Sequence, residues 1–122
     1  MSAIPSFILR KLYVTGSLCN TAEGCQFQIK NTLAPVLITG VGAVTIDGAA
    51  HPATDVALMR GKERVAASAA SKERPVSFDL NTVVTIFVKG LALSDGEHRI
   101  VLEVTSREAG RLKVDIVDTL NA

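Results

Sequence analysis

Two apolar runs near the C-terminal end constrain the fold of this chain most strongly. Asn81–Val88 and His98–Val104 are both rich in β-branched residues, and the segment between them, Lys89–Glu97, carries two glycines. β-Branched runs joined by a glycine-containing connection are typical of paired antiparallel strands. The pattern therefore predicts a β-hairpin over residues 81–104, with an ordered loop between its strands.

Alternation of apolar and polar side chains predicts further strands. Every second residue is apolar in Cys25–Lys30, and the same period recurs in Arg111–Ile116. Neighbouring side chains of a strand point to opposite faces, so this period predicts strands with one buried face. Arg111–Ile116 is also predicted to pair with the strand before it as a second hairpin. The residues predicted to face the core are Cys25, Phe27, Ile29, Ile100, Leu102, Val104, Leu112, Val114 and Ile116.

Shorter strands and a tight turn complete the pattern. Phe7–Val14 alternates imperfectly and is predicted to be a strand covered on both faces. Ala43–Ile46 and Val76–Phe78 are predicted to be short strands. Asp47–Gly48 has the composition of a two-residue hairpin turn, which predicts the end of a strand at that point.

The middle of the chain allows two interpretations. Val56–Met59 and Glu63–Ala66 flank Arg60–Lys62, which favours a short, exposed hairpin. The alternative is a helix over residues 62–71, where several alanines have high helix propensity. The large apolar residues there lack a sustained helical stripe, so strand followed by turn is preferred.

Together these segments predict the fold class. About eight short strands with frequent turns and no long helix predict an all-β protein, and covering the apolar faces of two sheets predicts an antiparallel β-sandwich. The 122 residues correspond to a single domain, 1–122. A hydrophobic content of 48% is sufficient for a buried core.

Charge and the N-terminal sequence bear on partners and location. The net charge is +1, which favours neither nucleic acid nor an anionic membrane as a partner. Arg10 and Lys11 interrupt the apolar stretch Phe7–Leu9 before it reaches the length of a signal peptide core or a membrane span. We therefore expect a cytoplasmic protein. In a reducing compartment Cys19 and Cys25 are expected to be free thiols, although a disulfide across a turn is geometrically conceivable.

His98 is the residue most suggestive of catalysis, because Asp95 and Glu97 are close in sequence and a carboxylate can orient an imidazole. In a strand, however, Glu97 and His98 point to opposite faces, which favours a loop-fixing hydrogen bond for His98. His51 gives no stronger signal. The sequence has no nucleophile elbow, phosphate-binding loop or zinc-ligand spacing, so no catalytic residue, cofactor site or metal site is predicted.

Three segments carry a resemblance to a known family. Gly90–Ile100, Ile46–Gly48 and Gly16–Asn20 are similar to segments of the β subunits of C-glycoside deglycosidases. The resemblance implies a small β-sandwich subunit paired with a larger barrel-type α subunit, which carries the divalent metal and the catalytic histidine. It thus implies a non-catalytic accessory role that shapes or covers the partner's active site.

The expected partner contact is the loop before the last long strands. Its residues are Leu91, Leu93, Ser94, Asp95, Glu97 and His98. An alternative function is a self-associating structural or small-molecule-binding sandwich, because Thr82–Val88 has apolar residues on both faces and needs a cover. A third is an independent hydrolase or isomerase that uses His98.

Overall fold

The computed structural model describes residues 4–120, which form two antiparallel sheets around one core. The elements are α1 (Ser6–Arg10), β1 (Cys19–Thr21), β2 (Gly24–Lys30), β3 (Val36–Ile46), β4 (Ala49–His51), β5 (Val56–Arg60), β6 (Glu63–Ala66), β7 (Val76–Phe78), β8 (Val83–Lys89), β9 (Gly96–Ser106) and β10 (Gly110–Leu120). Two 3-10 turns lie at Ala53–Asp55 and Ala67–Ala69. Residues 1–3 and 121–122 lie outside the described part, so the domain bounds 1–122 stay a prediction.

The predicted antiparallel β-sandwich is confirmed. The first sheet has the strand order β1-β2-β8-β5-β6, and the second has the order β10-β9-β3-β4, with β7 paired to the start of β3. The described part of the chain contains ten strands rather than about eight. Three of them, β3, β9 and β10, are 11 residues long and are therefore not short.

The predicted hairpin over residues 81–104 is wrong, although both of its strands exist. β8 lies in the first sheet between β2 and β5, whereas β9 lies in the second sheet between β10 and β3. Every strand has two edges, and other strands occupy both edges of β8 and of β9. Residues 90–95 therefore carry the chain from one sheet to the other.

The predicted inward faces are confirmed on β2, β9 and β10. Cys25 and Phe27 are fully buried, and Ile100 and Leu102 are nearly so, whereas Val104 is half-buried. β9 and β10 pair over their full lengths, from Gly110 opposite Ser106 to Leu120 opposite Gly96, which confirms the second hairpin. Side-chain alternation thus predicted these strands correctly.

The segment Phe7–Val14 is not a strand. It forms the short helix α1, followed by a single bridge from Tyr13 to Ile29. Leu9 and Leu12 are three positions apart and both are buried, while Phe7 is exposed. Three residues is close to one helical turn, so an imperfect alternation also fits a helix with one buried side.

The strand predicted at Ala43–Ile46 is the end of the longer strand β3. Its pairing with β9 shifts register between Ile38 and Gly40 and again between Val41 and Val44. Such irregularities bend a strand and increase its local twist. The sequence prediction missed the first part of β3 because glycines interrupt its apolar pattern.

The predicted hairpin in the middle of the chain forms as β5 and β6, but it is not exposed as predicted, because Val56 and Leu58 of β5 are buried and β5 lies between β8 and β6. Gly61 between them has φ of 60°, a conformation that favours glycine. The alternative helix over residues 62–71 does not form, since that segment contains β6 and a single 3-10 turn.

Both cysteines are free thiols. In the pairing of β1 with β2, Cys25 lies opposite Asn20 rather than opposite Cys19. Burial raises the pKa of the Cys25 thiol to about 11, so Cys25 is a neutral core residue at physiological pH. No helix within residues 4–120 is long and apolar enough to cross a bilayer.

Candidate functional site

The long strands give the sandwich two distinct ends. The turn between β9 and β10, at residues 107–109, lies beside the loop at residues 31–35 and β7; we call this the turn end. The other end holds His98, the turn between β3 and β4, and residues 90–95; we call it the His98 end. A strand rises about 3.3 Å per residue, so the six positions from His98 to Val104 separate the two ends by roughly 20 Å.

At the His98 end, a buried imidazole is held from both sides. His98 is 6% exposed; its Nδ1 lies 2.5 Å from Oδ2 of Asp47, and its Nε2 lies 2.7 Å from the Ser94 carbonyl oxygen. A carbonyl oxygen and an ionised carboxylate only accept hydrogen bonds, so both ring nitrogens donate. The hydrogen bond to Asp47, and then the one to Ser94, raise the pKa of His98 and favour the imidazolium form.

Asp47 reaches His98 because of the turn in which it sits. Asp47 and Gly48 have φ of 52° and 85°, which fits the two-residue turn that was predicted between β3 and β4. The Asp47 backbone N–H donates to the Arg99 carbonyl oxygen at 2.9 Å, and its Oδ1 accepts from the Arg99 N–H at 3.0 Å. The hydrogen bonds from His98 and from Arg99 lower the pKa of Asp47.

The carboxylate beside His98 is therefore Asp47, not Asp95 or Glu97. Glu97 is exposed on the opposite face of β9, as strand alternation predicted, and Asp95 is exposed in the preceding loop. The hydrogen bond from His98 to Ser94 is the loop-fixing contact expected from the sequence. With both nitrogens engaged in a buried position, His98 acts as a structural clamp.

The predicted partner-facing loop lies at this end and is only partly exposed. Leu91 and Leu93 are half-buried against the core, and the Asn20 side chain fixes Leu93 with two hydrogen bonds, at 2.8 and 2.9 Å. Ser94 and Asp95 are exposed in the loop, whereas Glu97, which is exposed, and His98, which is buried, lie in strand β9 rather than in the loop. The part of the loop that is open to contact is therefore polar and acidic. Its role in binding a partner stays a prediction.

A second buried polar group, Asp118, was missed by the sequence interpretation. It lies opposite His98 in the pairing of β10 with β9. Its Oδ2 accepts hydrogen bonds from the Tyr13 hydroxyl at 2.6 Å and from the Gly16 N–H at 3.0 Å. Burial, and then the hydrogen bond to Asp118, raise the pKa of Tyr13. The sequence did carry a signal, since Asp118 continues the inward series of Leu112, Val114 and Ile116.

The turn end contains an apolar cavity of about 280 Å³ between the two sheets. Side chains of both sheets and of α1 line it, among them Leu9, Ile29, Ile38, Val84, Leu102 and Leu112. It opens at a rim formed by the loop at residues 31–35 and the turn between β9 and β10. Neither the cavity nor its rim was predicted from the sequence.

The polar side chains in the cavity wall already have hydrogen-bond partners. The Asn31 amide nitrogen donates to the carbonyl oxygens of Ala34 and Phe78 at 2.8 and 2.9 Å, and its oxygen accepts from the Leu33 N–H at 3.1 Å. Glu108 accepts a hydrogen bond from the Leu37 N–H at 3.0 Å through Oε1. These bonds tie the rim to the framework, so the cavity presents a mainly apolar surface.

The remaining side chains that could bind a metal ion or act as an acid or base do not form a cluster in the described part of the chain. Across residues 4–120, no three His, Cys, Asp or Glu side chains come together as a group able to hold a metal ion. Within the same range, Nε2 of His51 is buried and lacks a hydrogen-bond partner. His51 belongs to the short strand β4 and lies opposite Val44. Among the described residues, no carboxylate pairs with this nitrogen in the way that Asp47 pairs with His98.

Comparison with known proteins corrects the family assignment. A family model described as "Hydroxymethylglutaryl-CoA reductase, N-terminal domain" matches residues 8–121, which is nearly the whole chain. The resemblance to C-glycoside deglycosidase β subunits is therefore wrong; it rested on three short segments rich in common turn residues. No curated protein matches the chain. Because the match spans more than half of the sequence, the chain belongs to the family of hydroxymethylglutaryl-CoA reductase N-terminal domains.

Proposed function

We propose that this chain is a non-catalytic accessory module that acts by contacting a catalytic partner, either a separate chain or another domain, of the hydroxymethylglutaryl-CoA reductase type. The observation that carries the proposal is the state of His98. Its two ring nitrogens are both used in buried structural hydrogen bonds. A general acid or base must reach the substrate within hydrogen-bond distance, which this position does not allow.

The family supports the nature of the partner. The matching family is described as an N-terminal domain of hydroxymethylglutaryl-CoA reductase, and a non-catalytic domain of that kind would act through a surface contact with the catalytic part. The exposed side chains of Ser94, Asp95 and Glu97 provide the contact surface, and Asn20 and His98 hold the loop in place. A preorganised loop binds with a smaller entropic cost than a mobile one. We therefore place the contact at the His98 end.

The test is co-expression of the chain with a candidate reductase, followed by size-exclusion chromatography and assay of hydroxymethylglutaryl-CoA reduction. We expect a stable complex, no turnover by the chain alone, and a changed kcat or KM of the reductase in the complex. Full turnover by the isolated chain would overturn the proposal. Glu97→Lys is expected to weaken the complex by reversing a contact charge, and Glu73→Lys, at an exposed bend elsewhere, serves as the matched control.

We also propose a cytoplasmic location for this module. The support is the two free thiols, because disulfides form and persist mainly in oxidising compartments. Cell fractionation with an antibody against the chain checks this, and recovery in a secreted or periplasmic fraction would contradict it.

A further inference from the structure

We propose that the cavity at the turn end is a binding site for one small neutral apolar molecule, such as a hydrocarbon chain or ring system of about ten carbon atoms. This binding is separate from the accessory contact, since the two sites lie at opposite ends of the sandwich.

The size of the cavity sets the size of the ligand. An apolar cavity of about 150 Å³ stays dry and accepts benzene, which has six carbon atoms. The cavity here is nearly twice as large, about 280 Å³, and is open at its rim. In proportion, it accommodates about ten carbon atoms. Removal of apolar surface from water is favourable in proportion to the area that is buried, so such a ligand has a substantial driving force for entry.

The cavity is held open by the fold. On one side, the two register shifts in β3 flank Val41, which lines the cavity next to Val104. On the other side, Asn31 joins the rim loop to Phe78 of β7 through hydrogen bonds that leave its amide satisfied. Protein interiors normally close such gaps, because each unfilled volume loses packing contacts. A space of this size between two braced sheets is a preformed binding site.

The charge of the wall selects among apolar ligands. Glu108 is the charged side chain in the described lining, and the wall contains no lysine or arginine. An anionic head group at the rim would be repelled by the Glu108 carboxylate, and no lysine or arginine of the cavity lining would offset that repulsion. A free fatty acid is therefore disfavoured relative to the alcohol of the same length. The ligand class is neutral.

The experiment compares decan-1-ol with sodium decanoate by isothermal titration calorimetry on the intact chain at pH 7.5. We expect one decan-1-ol per chain and affinity for decanoate weaker by at least about tenfold, which corresponds to about 1.4 kcal/mol. Glu108→Gln is expected to reduce that difference. Absence of saturable decan-1-ol binding, or equal affinity for both compounds, would overturn the proposal.

Replacing either of two alanines by phenylalanine shows whether the ligand enters this cavity. Ala34 and Ala50 are both exposed, but only Ala34 lies in the cavity rim. Ala34→Phe is expected to weaken decan-1-ol binding at least about tenfold, while Ala50→Phe leaves it unchanged. As a second measurement, decan-1-ol should raise the melting temperature of the unaltered chain and of Ala50→Phe, because a ligand that binds only the folded state stabilises it. Equal binding by both variants, or no rise in melting temperature, would overturn the assignment to this cavity.

Discussion

The protonation state of His98 affects the stability of the folded state. The folded state holds its imidazolium form through Asp47 and Ser94 and so raises its pKa, while Asp47 has a lowered pKa. Asp118 lies opposite His98 on β10 but directs its carboxylate to Tyr13 and Gly16. The stability of the His98 end should therefore depend on pH.

The direction of this dependence follows from the two shifts. The contribution of His98 is complete below about pH 6.5, its pKa when unfolded, and is lost as the pH rises through its raised folded-state pKa. The contribution of Asp47 is complete above about pH 4 and is lost as the pH falls through its lowered folded-state pKa. The His98–Asp47 pair therefore contributes most to the stability of the fold between about pH 4 and pH 6.5.

We predict that Asp47→Asn lowers the free energy of unfolding more at pH 6 than at pH 9. Asparagine tolerates the positive φ of this turn position, so the substitution mainly removes the charge. Urea unfolding followed by circular dichroism at both pH values measures the difference. Asp115→Asn is the control, because Arg99, its partner at 2.6 Å, stays charged at both values and the loss should be the same. Equal losses for Asp47→Asn at pH 6 and pH 9 would contradict the prediction.

At the scale of the elements, the approach of β2 to β8 depends on one small residue. Gly24 begins β2 and is buried, and a Cβ atom at this position would overlap with the Val88 carbonyl oxygen and lie 3.0 Å from the Gly90 nitrogen. Both neighbours are backbone atoms, which cannot move aside as a side chain does. The pairing of these two strands therefore requires glycine at position 24.

We predict that Gly24→Ala lowers the free energy of unfolding by about 1–3 kcal/mol, the range for overpacking in a core. Gly40→Ala is the matched control within β3, because its Cβ would meet the Thr105 side chain at an ordinary 3.8 Å. The control should change stability by less than about 1 kcal/mol, since alanine also restricts the unfolded chain. Urea unfolding measures both variants, and a similar loss for the two would show that close approach at Gly24 is not limiting.

At the scale of the whole molecule, the two sheets share one core. Phe27 of the first sheet and Ile100 of the second are among the largest fully buried side chains. The crossing at residues 90–95 and the contact of Tyr13 with Asp118 tie the sheets and the N-terminal segment together. Because neither sheet has a core of its own, the protein should unfold as one unit.

We predict that Phe27→Ala and Ile100→Ala lower the free energy of unfolding by about 3–5 and 2–5 kcal/mol respectively, and that each variant still unfolds in a single transition. Circular dichroism reports on both sheets, and the fluorescence of Tyr13, the one tyrosine of the chain, reports on the contact between the N-terminal segment and β10. The two signals should change together in each variant. Separate midpoints for the two signals would contradict a shared core.

The sequence by itself determined the fold class, the inward faces of the long strands and the turn at Asp47–Gly48. These are local properties, because residues close together in the sequence determine both the alternation of a strand and the conformation of a two-residue turn. The same locality gave the wrong result for Phe7–Val14, where the spacing of Leu9 and Leu12 fits either a strand or a helical turn.

Only the tertiary structure decided which strands pair and which side chains meet. β8 and β9 are neighbours in sequence, yet they do not pair with each other. β8 pairs with β2 and β5, and β9 pairs with β10 and β3, because the packing of the two sheets decides which strand edges meet. The same packing brings Asp47 to His98 across 51 positions and leaves the cavity at the turn end. Contacts between distant segments and the spaces they enclose depend on the relative placement of both sheets, which no local pattern specifies.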